Sequence, residues 1–185
     1  MSTRKRAHKP ADPEDAIQLS TKAKKRSTVA FGGKQSESEP SSSDKQFWLL
    51  KSEPDDFSIE RMESERKAMW DGIRNAQARA NLRKMQLGDR CLFYHSSCKQ
   101  IGVAGEVSVV RTAYADPADA AWAVVDLEYV RTYPQFVGLD VLKAMAAGDL
   151  AGLALFKQPR LSVQPVSPEH FRAIVAVGTG TKTAE

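Results

Sequence analysis

Two cysteines, Cys91 and Cys98, and three histidines are all that these 185 residues hold of the side chains suited to soft-metal and redox chemistry. No disulfide framework can support such a chain, and a reducing compartment is expected. Cys91, His95 and Cys98 lie close together. A structural zinc takes four ligands, however, and no fourth Cys or His stands nearby, so a buried thiol and a polar strand end are expected in place of a metal. Missing too are GxSxG, HExxH, the phosphate-cradling GxxxxGK[ST] and the dinucleotide GxGxxG. Ser52 or Ser96 beside His95 lacks the orienting acid that a nucleophile pair requires. Neither catalysis nor a bound cofactor is expected. No run approaches the roughly 18 consecutive apolar residues of a membrane span, and no apolar secretory segment opens the chain. The expectation is a soluble, intracellular protein with no membrane partner.

What is present divides sharply along the chain. A hydrophobic content of 42% is globular in type, whereas a mean hydropathy of −0.43 requires a long polar stretch. Residues 1–45 supply it: they are rich in Ser, Lys, Pro and Glu, have Phe31 as their one aromatic, and show no helical or strand period. Such a segment cannot bury enough apolar surface to offset its ordering entropy, so a disordered basic tail and linker is expected there. Ten Lys or Arg face six Asp or Glu in residues 1–46, against seventeen and seventeen in residues 47–185. A domain without net charge cannot hold nucleic acid by bulk electrostatics, which favours a local pocket over a nonspecific coat. Two basic clusters, Arg4-Lys5-Arg6 and Lys22, Lys24, Lys25 and Arg26, resemble a bipartite nuclear import signal, with an import receptor as partner. The other account of them is a solvated tail. The serine-rich, acidic stretch from Ser36 to Ser43 is a linker that phosphorylation can recharge.

Order is expected from Phe47, where FWLLK has strand length and composition before Ser52-Glu53-Pro54 stops it. Phe57, Ser58 and Met62 have the spacing of a hydrophobic staple around a serine N-cap, predicting a helix over 59–67. Asn75 can cap a second helix reaching Met85, with Ala78, Leu82 and Met85 on one face and Arg79 and Arg83 on another. Residues 90–95 and 101–112 have strand character, their glycines marking bends or close approach by a backbone or ligand. Val124 to Arg131 alternates apolar and charged residues as a half-buried strand does. Leu139, Leu142 and Met145 recur at helical spacing, residues 160–166 form a late strand, and Ser167-Pro168-Glu169 opens a terminal helix. Short strands and helices without βαβ periodicity predict an α+β domain on a curved or closed, barrel-like sheet, spanning 46–178, with a flexible C-terminus over 179–185.

The segment WDGIRNAQARANLRKM, from Trp70 to Met85, concentrates aromatic and polar groups at a helix start. A tryptophan face stacks a base for about 1–3 kcal/mol, while Asn or Asp reads a hydrogen-bonding edge. Core packing is the alternative for Trp70. Arg79 and Arg83 repel at i and i+4, a cost that phosphate contacts reverse, though a solvated helix face also accounts for them.

FWLLKSEPDDFSI, WDGIRNAQARANLRKMQLGD, FYHSSCKQIGVAGEV, AWAVVDLEYV and RLSVQPVSPEHF resemble, in order, the motifs of the EVE domain as found in the thymocyte nuclear protein family. The resemblance covers residues 47–176. It implies a PUA-like fold related to the YTH domain, and a nuclear, monomeric, non-enzymatic reader of a modified base, chiefly a 5-substituted cytosine in DNA. Carried over, Lys51, Ser52 and Glu53 contact the base edge, Trp70 stacks, and Asp71, Arg74 and Asn75 form the adjoining polar motif. Tyr94, His95 and Ser96 line the opposite wall, and Trp122 begins the long alternating strand. The base would be flipped and read by Glu53 or Asn75, while the tail adds salt-sensitive phosphate affinity. Two departures stand out: Ala76 occupies a position where the family usually has Tyr, and five residues separate Asp116 from Trp122 where a loop of about twenty is common. The rival expectations are a modified-RNA reader with the same pocket, a protein-interaction module with a degenerate pocket, and a hydrolase acting on modified nucleic acid.

Overall fold

The computed structural model describes residues 45–181. The import clusters and nearly all of the tail and linker lie outside the described residues. The elements run β1 (Phe47–Ser52), α1 (Ile59–Glu65), β2 (Lys67–Trp70), α2 (Ala76–Leu82), β3 (Arg90–His95), β4 (Gly102–Ala115), β5 (Ala123–Gly138), α3 (Leu139–Ala144), α4 (Ala154–Lys157), β6 (Val163–Val166) and α5 (Pro168–Gly178), with a 3-10 turn at Met145–Ala147. One sheet has the strand order β2-β5-β4-β3-β1-β6. β1 and β3 pair in parallel, and the other ladders are antiparallel.

The sheet is curved because its two end strands contribute to a single core. Trp70 of β2 and Val163 of β6 join Trp48, Leu50, Phe93, Val107, Val125 and Leu127 in one apolar cluster on the inner face. Helix α2 contacts both β5 and β6, and Asn81 donates from Nδ2 to the Val163 carbonyl oxygen at 2.8 Å. A side chain thus satisfies an edge-strand carbonyl that has no strand neighbour there. The outer face carries a second cluster, in which Leu49, Leu92, Tyr94, Val103 and Val137 pack against Leu142, Leu155, Phe171 and Ile174 of the later helices. β1 and β3 are buried on both faces, which is why FWLLK and CLFY are almost continuous apolar runs.

Local chemistry sets the helix starts. Ser58 accepts from Arg61 N, Asn75 from Ala78 N and Ser167 from His170 N, the last with Pro168 in the first turn. Phe57 and Met62 are both buried, as a staple requires. Several boundaries differ from expectation. The four-residue strands and helices are too short to show a period, so β2 and α4 were not foreseen, and α2 ends three residues before Met85. β5 runs on to Gly138, still paired with β4, and a shift of register on the way turns odd-numbered residues from the inner core at Leu127 to the outer core at Tyr133. A Cβ on Gly102 or Gly105 would overlap the main chain of Val137 or Arg131, so close strand approach explains these glycines. Residues 179–181, expected to be loose, cap α5: Thr179 Oγ1 donates to Val175 O at 2.8 Å and Thr181 N to Ala176 O at 2.9 Å.

Candidate nucleic-acid interface

The parallel strands β1 and β3 end side by side, Ser52 opposite His95, and the chain beyond them opens a polar cleft of about 410 Å³. Its lining brings together Lys51, Glu53, Asp56, Arg74, Asn75 and Ser96 from segments distant in sequence, and Ser97, Pro159, Arg160 and Ser162 complete it. Three cations and two carboxylates in one concavity can bind an anion while reading the donors and acceptors of a planar edge. Ile73 and Pro159 supply apolar wall.

The strand ends are fixed by hydrogen bonds that commit two of the expected base contacts to the scaffold. Ser52 is 1% exposed, and its Oγ donates to Phe57 O at 2.6 Å, closing the turn that carries Glu53 and Asp56. The carbonyl of Ser52 accepts from Ser96 N at 2.8 Å, holding the two strand-end loops together. His95 is buried, and its Nε2 accepts from Ile59 N at 3.2 Å. Burial holds its ring below the ordinary histidine range, against the opposing pull of Glu60, which suits a neutral acceptor at the start of α1. Neither Ser52 nor His95 lines the cleft.

Trp70 does not have the expected exposed stacking face. It is 2% exposed, with Phe57 and Phe93 edge-on to its ring at 6.3 and 5.6 Å between centroids. Because β2 pairs with β5, the side chain points into the inner core, where burying an indole is worth more than holding it in solvent. Asp71 is half-buried beside the cleft residue Gly72 and is not on the wall. Tyr94 faces the other side of the sheet, with the Lys51 ammonium 5.4 Å from its ring centroid. Asn75 does line the cleft, and its Oδ1 accepts the helix-capping bond from Ala78 N, which leaves the amide donors and one lone pair of that oxygen for a ligand.

Trp122 stands one layer behind the cleft. The guanidinium carbons of Arg74 and Arg79 lie 4.2 and 4.4 Å from its ring centroid, and its Nε1 donates to Asp119 at 2.7 Å. The short connection from Asp116 to Trp122 is a closed hairpin: Asp116 N donates to Trp122 O at 3.0 Å, and Asp116 and Asp119 accept from Ala118 N and Ala121 N. The few residues here deliver an oriented indole to the arginine of the cleft wall. Ala76 is exposed in the first turn of α2, outside the lining. Arg83 is exposed just past the end of the same helix.

Lys51 is the charged group most altered by its surroundings. It is 8% exposed, its Nζ donates to Pro159 O at 2.6 Å, and burial lowers its pKa to about 8. Sequence reasoning did not find Asp56, Gly72, Ile73, Ser97, Pro159, Arg160 or Ser162. One signal was available for Pro159 and Arg160: Gln-Pro-Arg shortly before a strand is turn chemistry. Ser97 has φ 57°, a conformation rare for a residue with a Cβ, but serine itself gave no sign of it. Among the described residues, no three His, Cys, Asp or Glu side chains gather as a metal site, and no helix is long and apolar enough to cross a membrane.

The family model of the EVE domain matches residues 46–177. Thymocyte nuclear protein 1 of Mus musculus is 37% identical over 164 residues, covering 71% of this chain and 73% of its own. The solved structure of a hypothetical protein from Leishmania major superposes with a TM-score of 0.69 at 37% identity, covering 75% of this chain and 98% of the other. Human THYN1, solved in complex with 5-methylcytosine-containing DNA, superposes with a TM-score of 0.67 at 33% identity, covering 72% and 97%.

Proposed function

The chain belongs to the EVE domain family, and from that premise we propose that it is a nuclear, non-enzymatic reader of a modified base, a 5-substituted cytosine in DNA. The observation that carries the reading is the cleft at the ends of β1 and β3, where Lys51, Glu53, Asp56, Arg74, Asn75 and Ser96 converge. The carboxylates of Glu53 and Asp56 suit the exocyclic amine of cytosine, an edge that thymine lacks. Asn75, Ser97 and Ser162 supply neutral donors, the Ser96 hydroxyl being turned to the Ser52 carbonyl. Arg74, Lys51 and Arg160 suit the phosphates on either side, and Arg79 and Arg83 extend the basic surface along α2. Ile73 and Pro159 replace an aromatic as the apolar wall, so affinity for the base rests more on its edge than on stacking. A base admitted here must leave the duplex stack, which costs a few kcal/mol that the edge contacts offset. The arrangement binds and holds, and it assigns no residue to a chemical step.

The test is a titration of the full chain with otherwise identical duplexes bearing cytosine, 5-methylcytosine or 5-hydroxymethylcytosine, beside matched RNA. One modified DNA should bind at least tenfold tighter than its unmodified counterpart. Glu53→Ala should weaken binding of the modified and the unmodified duplex by the same factor, because the exocyclic amine is common to both and a hydrogen bond to a charged group contributes about 1.5–3 kcal/mol. Equal, salt-sensitive binding to every oligomer would sink the reading, and preference for RNA would transfer the same pocket to a different nucleic acid.

A further inference from the structure

On the other side of Lys51 lies a second cleft, of about 570 Å³, that none of the foregoing uses. It shares Lys51, Ser96, Ser97 and Pro159 with the polar cleft, so the two are separated by a single ridge. Its chemistry is different. Tyr94, Ile101, Leu139, Leu155 and Phe156 make it predominantly apolar and partly aromatic, Lys51 and Lys143 are its charged residues, and no carboxylate lines it. Tyr94 and Leu155 are buried parts of the outer core, whereas Ile101, Leu139 and Phe156 are only half-buried.

We infer that this second cleft receives the nucleotide next to the one read in the polar cleft, its base against Phe156 and its phosphate near Lys143. The inference rests on the base-reader proposal above, and three observations support it. The shared ridge places the two sites one wall apart, as adjacent nucleotides of a strand require. Two lysines without a carboxylate complement an anion, whereas the polar cleft offsets its cations with Glu53 and Asp56. Apolar and aromatic walls with few polar atoms hold a base by its face, and every base has such a face. The two clefts therefore divide the work: the first reads an edge and selects, and the second holds a neighbour of any sequence and adds affinity.

A coupled set of binding measurements tests this on the full chain. Duplexes carry one modified cytosine, with the nucleotide on its 5′ or its 3′ side either intact or abasic. The abasic site on one of the two sides should weaken wild-type binding roughly tenfold, the scale of one stacked base. Phe156→Ala should weaken the intact duplex by a similar factor and make that abasic site inconsequential. Lys143→Ala, an exposed substitution that leaves the core untouched, should weaken intact and abasic duplexes by the same few-fold. Thermal melts of both variants exclude misfolding as the cause. Independent, multiplicative losses from Phe156→Ala and the abasic site, or unchanged binding in Lys143→Ala and Phe156→Ala, would overturn the inference and leave the groove to another kind of ligand. The two proposals fail differently. A wild-type protein that still prefers the modified cytosine but shows no coupling loses only the second cleft, whereas one without the preference loses both.

Discussion

Lys51 sits in the wall between the two clefts, and its buried ammonium makes binding sensitive to pH in a calculable direction. Burial disfavours the charged form, so the amine holds its proton below about pH 8 and gives it up above. Its attraction for a nucleic acid is thus present at neutral pH and fades as pH rises, with bound phosphate delaying the change. Affinity for the modified duplex should fall roughly tenfold between pH 7 and 9, about one charge-assisted hydrogen bond. Lys51→Arg should flatten that decline, and a pH-independent dissociation constant in the wild type would exclude a direct role for the amine. At this scale the sequence was ambiguous for a physical reason. Trp70 and Trp122 both belong to the motifs expected to line the pocket, yet one packs at 2% exposure among Phe57 and Phe93 and the other lies against two arginines near the surface. Side-chain type gives the chemistry available, and burial decides whether a ligand can use it.

Elements act on the site by presenting these residues in fixed orientations. The hairpin between β4 and β5 holds Trp122 through Asp119, and Trp122 in turn restrains Arg74 on the cleft wall. A cation over an indole contributes about 0.5–2 kcal/mol. Trp122→Ala should therefore weaken binding of the modified duplex some three- to tenfold, while the melting temperature shifts little because the hairpin lies at the surface. Calorimetric melts beside equilibrium titrations separate the two effects, and unaltered affinity would remove the hairpin from the interface. The helix starts were legible because Ser58, Asn75 and Ser167 satisfy backbone donors within three residues, a purely local matter. β2 and the far half of β5 were not, because a four-residue strand has no period to detect and a register shift inverts the pattern on which alternation depends.

For the whole molecule, the division of charge predicts that affinity and selectivity can be separated. Residues 47–185 carry seventeen charges of each sign, and the excess of positive charge precedes them. Removing residues 1–44 should reduce the slope of log affinity against log salt concentration, since each phosphate neutralised contributes about −0.9 to it. The preference for modified over unmodified cytosine should survive the truncation. Binding isotherms from 50 to 300 mM salt, roughly the range over which counterion release dominates, measure both, and a lost preference would place selectivity in the basic segment instead. By itself, the sequence determined the α+β class, the capped helices, the strands β1 and β3, and through its ordered motifs the family. Each of these is written in neighbouring residues, as a cap, a period or a run. Only the tertiary structure decided that Trp70 belongs to the core, that Ser52 and His95 serve the scaffold, and that Arg160 and Ser162 meet Glu53 across one cleft beside a second, apolar one. Those outcomes depend on which strands pair and in what register, and pairing over a hundred residues apart is set by how the whole core packs.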